Sequence, residues 1–266
     1  MSPWSRDTLR AELGPQRVAL VRRHARWSRR PEARWESALA AGDDPQQWAG
    51  ALAALDAGLA ALAHTRQAEL HVTLSNQFVR YAVLPWSDDL RSETEVLAFA
   101  RHRMRETYGE PAETWEIVLA TGWPGVPRVA AAVERGLIEA LVELARRAQL
   151  RLRAVAPHFG LLADSRRREL RGPAFWLAVV ESGRIVLARS AHGEWLSLAA
   201  ARDAGAPVAT LLALLARECF GLDEAEAPKR IYVHGLDGAE RSALGEAGWE
   251  TVPLGDAPQS AAAEAA

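Results

Sequence analysis

Lysine is almost missing from this chain of 266 residues. Lys229 is the only one among 32 basic residues, which leaves 31 arginines. Together with the abundant alanine, this reads as codon bias and carries no function. Cysteine is nearly missing as well. The lone Cys219 excludes an intrachain disulfide and any multi-cysteine zinc site, and it fits a reducing compartment. Neither sign of charge dominates: 32 basic against 34 acidic residues give a net charge of −2, so no electrostatic case exists for nucleic acid as a partner. Long apolar runs are also lacking. The most apolar stretch, residues 52–63, contains Asp56 and is too short to cross a bilayer. Residues 1–10 hold no apolar signal-peptide core. The expectation is a soluble cytoplasmic protein that something else holds at any membrane.

Catalytic signatures are missing too. There is no G-x-x-x-x-G-K, G-x-G-x-x-G, G-x-S-x-G or H-E-x-x-H. Lys229 follows Pro228, with no glycine at the spacing a phosphate loop needs. His102, between Arg101 and Arg103, reads as part of a solvated helix face. Cys219 ends an apolar helix with nothing activating beside it in sequence, and it reads as a packing residue.

What is present is an ordinary globular composition, 49% hydrophobic and 25% charged. Ten tryptophans are many for this length, enough for both core and contact surface. Residues 9–23 read as two strands around Gly14-Pro15-Gln16, with a third extended run near 33–39. Asp43-Asp44-Pro45 is a helix start. Trp48, Leu52, Leu55, Leu59 and Leu62 then form one helical stripe, read as packing on a sheet. Residues 69–84 are extended around a turn at Ser75-Asn76. Ser92-Glu93-Thr94-Glu95 is a capping box that opens a helix to Tyr108. Strands are expected at 115–120, 128–133 and 151–156, with helices at 134–148 and 158–168.

Residues 166–173 are polar, carry Gly172-Pro173 and form the candidate boundary. Strands then recur at 175–180, 185–190 and 194–198. A helix at 207–220, a strand at 230–234, a helix at 239–247 and a strand at 249–254 follow. Residues 256–266 form a tail expected to be disordered. Strands alternating with helices imply an α/β sheet covered by helices. Two consecutive three-stranded units, each followed by such alternation, suggest duplicated RNase H-like halves in an actin-like arrangement, at 8–165 and 172–255.

An actin-like ATPase places a carboxylate and then glycine in the first hairpin of each half, so that backbone N–H groups can approach phosphates. Here Glu12 and Gly14 occupy the first hairpin, and Glu181 and Gly183 the second. Gly235, with Gly238, is the candidate for the glycine pair that would cup an adenosine. Glutamate stands where aspartate is wanted, and Pro15 removes one N–H. Tight hairpin turns explain these residues equally well. No cofactor is expected, and ATP is the alternative that the arrangement keeps open. A two-metal nuclease would need converging carboxylates, of which only Glu12 and Glu69 are candidates.

Residues 72–86 run Val-Thr-Leu-Ser-Asn-Gln-Phe-Val-Arg-Tyr-Ala-Val-Leu-Pro-Trp. They precede a capped acidic helix, the strand Trp-Glu-Ile-Val-Leu, the segment Arg-Val-Ala-Ala-Ala-Val, a long helix and the basic strand Leu-Arg-Leu-Arg-Ala-Val. This order resembles the PilM family of actin-like scaffold proteins in type IV pilus assembly. It also resembles the cytoplasmic domain of the type II secretion protein GspL. The likeness covers most of residues 8–255. With no membrane helix after residue 255, the chain resembles a stand-alone PilM-like form or a GspL divided into separate chains.

The resemblance implies a small subdomain of about 84–120 inserted in the first half. It implies recruitment to the inner membrane through the short cytoplasmic N-terminal peptide of a bitopic partner, bound between main sheet and inserted subdomain. It also implies contact with an assembly ATPase or platform protein. The groove candidates are Leu84, Trp86, Leu97, Phe99, Met104 and Trp115, each of which can equally be core. An extended peptide could also add to a sheet edge there. A homodimer is a further candidate assembly. Arg22, Arg23, Arg26, Arg29, Arg30 and Arg34 read as a solvated hairpin extension. The functional alternative is a patch for anionic headgroups or an acidic partner, at about 1 kcal/mol per residue near the surface. The expected function is a non-enzymatic scaffold. The competing expectations are an actin-like ATPase or sugar-kinase-like protein with degenerate loops, and a dimeric adaptor.

Overall fold

The computed structural model describes residues 7–24, 32–40, 48–62, 67–90, 92–223 and 227–255. The Asp43-Asp44-Pro45 helix start, Arg26, Arg29, Arg30 and the tail 256–266 lie outside the described residues. The chain divides into two compact units. One comprises the described residues up to Phe78 together with Val133–Leu161. The other comprises Val79–Ala132 and the described residues from Leu162 onward.

In the first unit, β1 (Thr8–Leu13), β2 (Arg17–Arg23) and β3 (Ala33–Ala38) form an antiparallel meander. β1 then pairs in parallel with β4 (Glu69–Leu74), and β4 in parallel with β8 (Arg151–Pro157), giving the order β3-β2-β1-β4-β8. Alternation drives this sheet: Leu9, Ala11, Leu13, Val18 and Leu20 are buried, while Glu12 and Arg17 are exposed. Helices α1 (Trp48–Ala61) and α3 (Arg135–Arg147) pack on the sheet and on each other, and they bury Leu55, Leu59, Leu137, Leu141 and Leu144.

The buried face of α1 is Ala51, Leu55, Gly58 and Leu59, rotated toward small residues from the predicted stripe. The reason is Trp35 of β3. A Cβ added at Gly58 would stand 2.5 Å from its indole ring. Trp48 lies at the margin of that face, where its Nε1–H donates to Glu134 Oε2 at 2.8 Å.

The second unit repeats the topology. β9 (Ala174–Glu181), β10 (Arg184–Ala191) and β11 (Glu194–Arg202) are antiparallel. β12 (Arg230–His234) and β13 (Glu250–Pro253) add in parallel, giving the order β11-β10-β9-β12-β13. Helices α5 (Pro207–Cys219) and α6 (Gly238–Glu246) cover a core of Trp176, Ile185, Leu187, Leu211, Leu215, Ile231 and Leu244. Trp176 is fully buried, so its indole needs a partner. Its Nε1–H donates to the Pro228 carbonyl at 3.1 Å.

The same unit carries a three-stranded sheet of order β5-β7-β6, wider than the expected 84–120 and grouped with the second half of the chain, except for the last two residues of β7. Its strands are β5 (Val79–Leu84), β6 (Trp115–Leu119) and β7 (Arg128–Glu134). Helix α2 (Glu93–Tyr108) packs on β5 and β6. The predicted capping box is formed. Ser92 Oγ accepts from the Glu95 N–H at 3.2 Å, and Glu95 Oε2 accepts from the Ser92 N–H at 2.9 Å. Arg128 ties β7 to α2 through Glu93 at 2.7 Å and to the Ala120 carbonyl at 3.0 Å. β4 and β5 flank the Ser75-Asn76 turn yet join different sheets, which the continuous extended reading of 69–84 does not distinguish. β11 runs to Arg202, beyond the expected end at 198, and α4 (His158–Ser165) stops short of 168.

Gly58→Ala is expected to destabilise the protein by about 1–3 kcal/mol through the Trp35 overlap. That outweighs the gain of about 1 kcal/mol in helix propensity. Thermal unfolding checks it: in a Trp35→Leu background the same substitution should be neutral or stabilising.

Candidate functional site

Loops at the carboxyl ends of parallel strands are where open α/β sheets hold ligands. In the first unit that end carries the β1–β2 turn, the loop after β4 and the start of α4. Its donors are largely committed to the protein itself. The Gly14 N–H donates to the Arg17 carbonyl at 3.0 Å, and Pro15 has none to offer. The Ser75 N–H donates to the Leu13 carbonyl at 2.9 Å, and the Gln77 N–H to Ser75 Oγ at 3.2 Å. Asn76 is fully buried, and its Oδ1 accepts the Phe159 N–H at 3.2 Å, filling one open donor of the first turn of α4. Glu12 is exposed and lies 3.9 Å from the Arg17 guanidinium, which is itself bound to Glu36 at 2.5 Å.

In the second unit, Glu181, Gly183 and Gly235 share one end of the sheet, because β9 and β12 run parallel with His234 opposite Val179. Gly183 has φ +80° and turns the hairpin, and its carbonyl accepts the Asp203 N–H at 3.1 Å. Gly235 has φ +88°, and its Cα faces the Val180 carbonyl so closely that a Cβ would overlap it. This glycine is explained by backbone packing. Gly238 opens α6 behind the Asp237–Glu240 capping box. The first hairpin lies in one unit and the second in the other, and each is built as a structural turn. As built, the residues at Gly14 and Pro15 do not fit a phosphate cradle.

The groove candidates divide by burial. Leu84, Met104 and Trp115 belong to the core between α2 and the three-stranded sheet, with Ala100, Ile117 and Ala130. Leu97 and Phe99 are half-buried against that core. Trp86 is exposed, with its Nε1–H donating to Asp88 at 3.2 Å. The same subdomain shows two surface groups that the sequence reading did not single out. Trp123 is 79% exposed and Val118, on the outer strand β6, is 65% exposed. Trp123 sits in Gly122-Trp123-Pro124-Gly125, where flanking chain breakers were a readable sign of a loop tryptophan.

Burial pushes the Cys219 thiol up, away from the thiolate. His102 is exposed beside Glu106 at 3.3 Å. Among the described residues no three His, Cys, Asp or Glu side chains gather to hold a metal, and no helix is long and apolar enough to cross a membrane. Of the N-terminal arginine cluster, Arg23 and Arg34 both pair with Glu32, at 3.0 and 3.3 Å, and Arg22 bonds His24 at 3.0 Å.

No protein-family model and no curated protein matches the sequence. Solved structures do match. A Bacteroides thetaiotaomicron protein with an actin-like ATPase fold and unknown function aligns at a TM-score of 0.61 and 10% identity, covering 96% of this chain and 94% of its own. The PilM–PilN type IV pilus biogenesis complex aligns at 0.62 and 16% identity, covering 93% and 88%. The cytoplasmic domain of EpsL, an inner-membrane component of the Vibrio cholerae type II secretion system, aligns at 0.55 and 13%, covering 94% and 90%. These likenesses establish the fold: the chain has an actin-like α/β fold, as its sequence pattern suggests.

Gly235→Ala is expected to lose more than about 2 kcal/mol from the positive φ and the Val180 overlap together. Chemical denaturation checks it, and the loss should be the same with or without Mg-ATP.

Proposed function

We propose that this chain is a non-enzymatic scaffold of a type IV pilus or type II secretion assembly. It binds the short cytoplasmic N-terminal peptide of a single-pass membrane protein on its inserted subdomain. That partner recruits it to the inner-membrane face, where an assembly ATPase, a platform protein or a second copy of the chain are further contacts.

The observation that carries the reading is the closure of the first hairpin, where the Gly14 N–H is taken by the Arg17 carbonyl and Pro15 follows. On one fold, this favours a scaffold over a nucleotide-driven ATPase. The Gly235 packing adds to it. The choice of machine is supported by likeness along nearly the whole chain to PilM in its complex with PilN and to the EpsL cytoplasmic domain.

The inserted subdomain supplies suitable chemistry. Trp86, Leu97 and Phe99 offer apolar surface over a packed core, and Trp123 lies exposed on the same subdomain. β6 is the outer strand of the three-stranded sheet, where an extended peptide can add by backbone hydrogen bonds.

Isothermal titration with Mg-ATP, then with synthetic N-terminal peptides of single-pass proteins encoded nearby, tests the proposal. The expected result is peptide binding near micromolar with no ATP heat. Trp86→Ala should weaken it at least tenfold with only a small drop in melting temperature, because that side chain is 40% exposed. Met104→Ala, in the core, should instead cost about 2–5 kcal/mol of stability. Tight Mg-ATP binding without any peptide signal would overturn the scaffold.

A further inference from the structure

Arg184 opens β10, and the antiparallel register sets it directly opposite Arg202 at the end of β11. Like charges facing each other across a ladder destabilise the pair. On its other side Arg184 faces Glu181 of β9. β5 packs against β11 and brings Arg80 into the electrostatic field of Arg184, with the phenols of Tyr81 and Tyr108 close by. The local charge is therefore in positive excess.

Arg184 is half-buried, and its Nε is buried without a hydrogen-bond partner. Burial pushes its pKa down and Arg80 pushes it further. A guanidinium stays charged under such pressure. Among the described residues, neither Arg184 nor Arg202 forms an ion pair. Asp203, adjacent to Arg202, is turned to the entry of α5. It accepts from the Ala206 N–H at 3.0 Å, the Gly205 N–H at 3.3 Å and the Thr210 hydroxyl at 3.0 Å.

We infer that Arg184 and Arg202, reinforced by Arg80, form a docking point for an acidic segment of a protein partner. Arg202 is exposed at the end of an outer strand, so the cluster opens onto the surface, while Arg184 stands deeper. The outer cation steers an approaching carboxylate, and the inner one, drier, holds it. Cations supplied from three strands of two sheets, the outermost exposed, suit successive acidic side chains of a polypeptide better than one small anion. The preference for arginine over lysine carries no weight here, since the whole chain shares it. This contact uses none of Trp86, Leu97 and Phe99 and goes beyond the function proposed above.

Fluorescence anisotropy of a labelled hexaglutamate peptide, titrated with the full chain at low salt, tests it. Saturable binding is expected, with Arg184→Gln and Arg202→Gln each weakening it at least tenfold. Arg153→Gln, an exposed arginine of the other unit, should leave it unchanged. Circular dichroism melting accompanies each variant, and Arg202→Gln should melt no lower than the parent because it relieves like-charge opposition. Should Arg184→Gln fail to fold, the exposed Arg202→Gln decides alone. The inference is overturned if hexaglutamate does not bind, if Arg202→Gln binds it like the parent, or if inorganic phosphate binds and the peptide does not. None of these outcomes bears on the N-terminal peptide titration, which reads out through Trp86.

Discussion

In each half one strand is hydrogen-bonded antiparallel along one edge and parallel along the other, and the remaining elements follow from that pairing. β1 stands between β2 and β4, and β9 between β10 and β12. An antiparallel neighbour needs only a tight turn, whereas a parallel one needs a crossover long enough for a helix. So β1, β2 and β3 come in succession, β4 follows α1, and β12 follows α5. The two central strands are not equally enclosed. Phe175 to Val180 of β9 are all buried, which requires a continuous apolar run. β1 alternates, burying Leu9, Ala11 and Leu13 and leaving Glu12 to solvent.

Much of this was legible because the signals are local. Gly14-Pro15 and Ser182-Gly183 mark hairpins within a few residues, and Ser92 with Glu95 marks the start of a helix. The sheet that receives β5 was not legible, since Val79–Leu84 carries the same apolar pattern as β4 and strand pairing is decided by distant residues. The face of α1 is legible in part: Leu55 and Leu59 are buried as the stripe predicts, while Ala51 and Gly58 bury by being small, which a search for large apolar side chains passes over. Asn76 is a polar residue in the interior whose partner, Phe159, lies 83 positions away. Arg80, Arg184 and Arg202 come from three separated strands, and no sequence window contains them together.

The candidate glycines show why a fold and a function need separate arguments. Gly235 meets the same physical requirement as a nucleotide-cupping glycine: a Cβ would block a close approach. From sequence alone the approaching group can be a phosphate or a carbonyl. Here it is the carbonyl of Val180. Gly14 is alike, with its N–H turned inward to Arg17 and followed by a residue that has none. The same turn chemistry serves ligand capture and chain reversal, so the residues alone do not name the role.

β11 is the outermost strand of its sheet, and between Glu194 and Arg202 it carries no charge. Such a strand offers exposed amides and carbonyls to any other extended chain, and natural proteins guard against this with charges, prolines or a covering element. Here the guard is β5, which packs along β11 within the same unit. The inserted segment thus also restrains edge-to-edge self-association. A descendant that lost it would gain a sticky margin and come under pressure to place charged residues along β11.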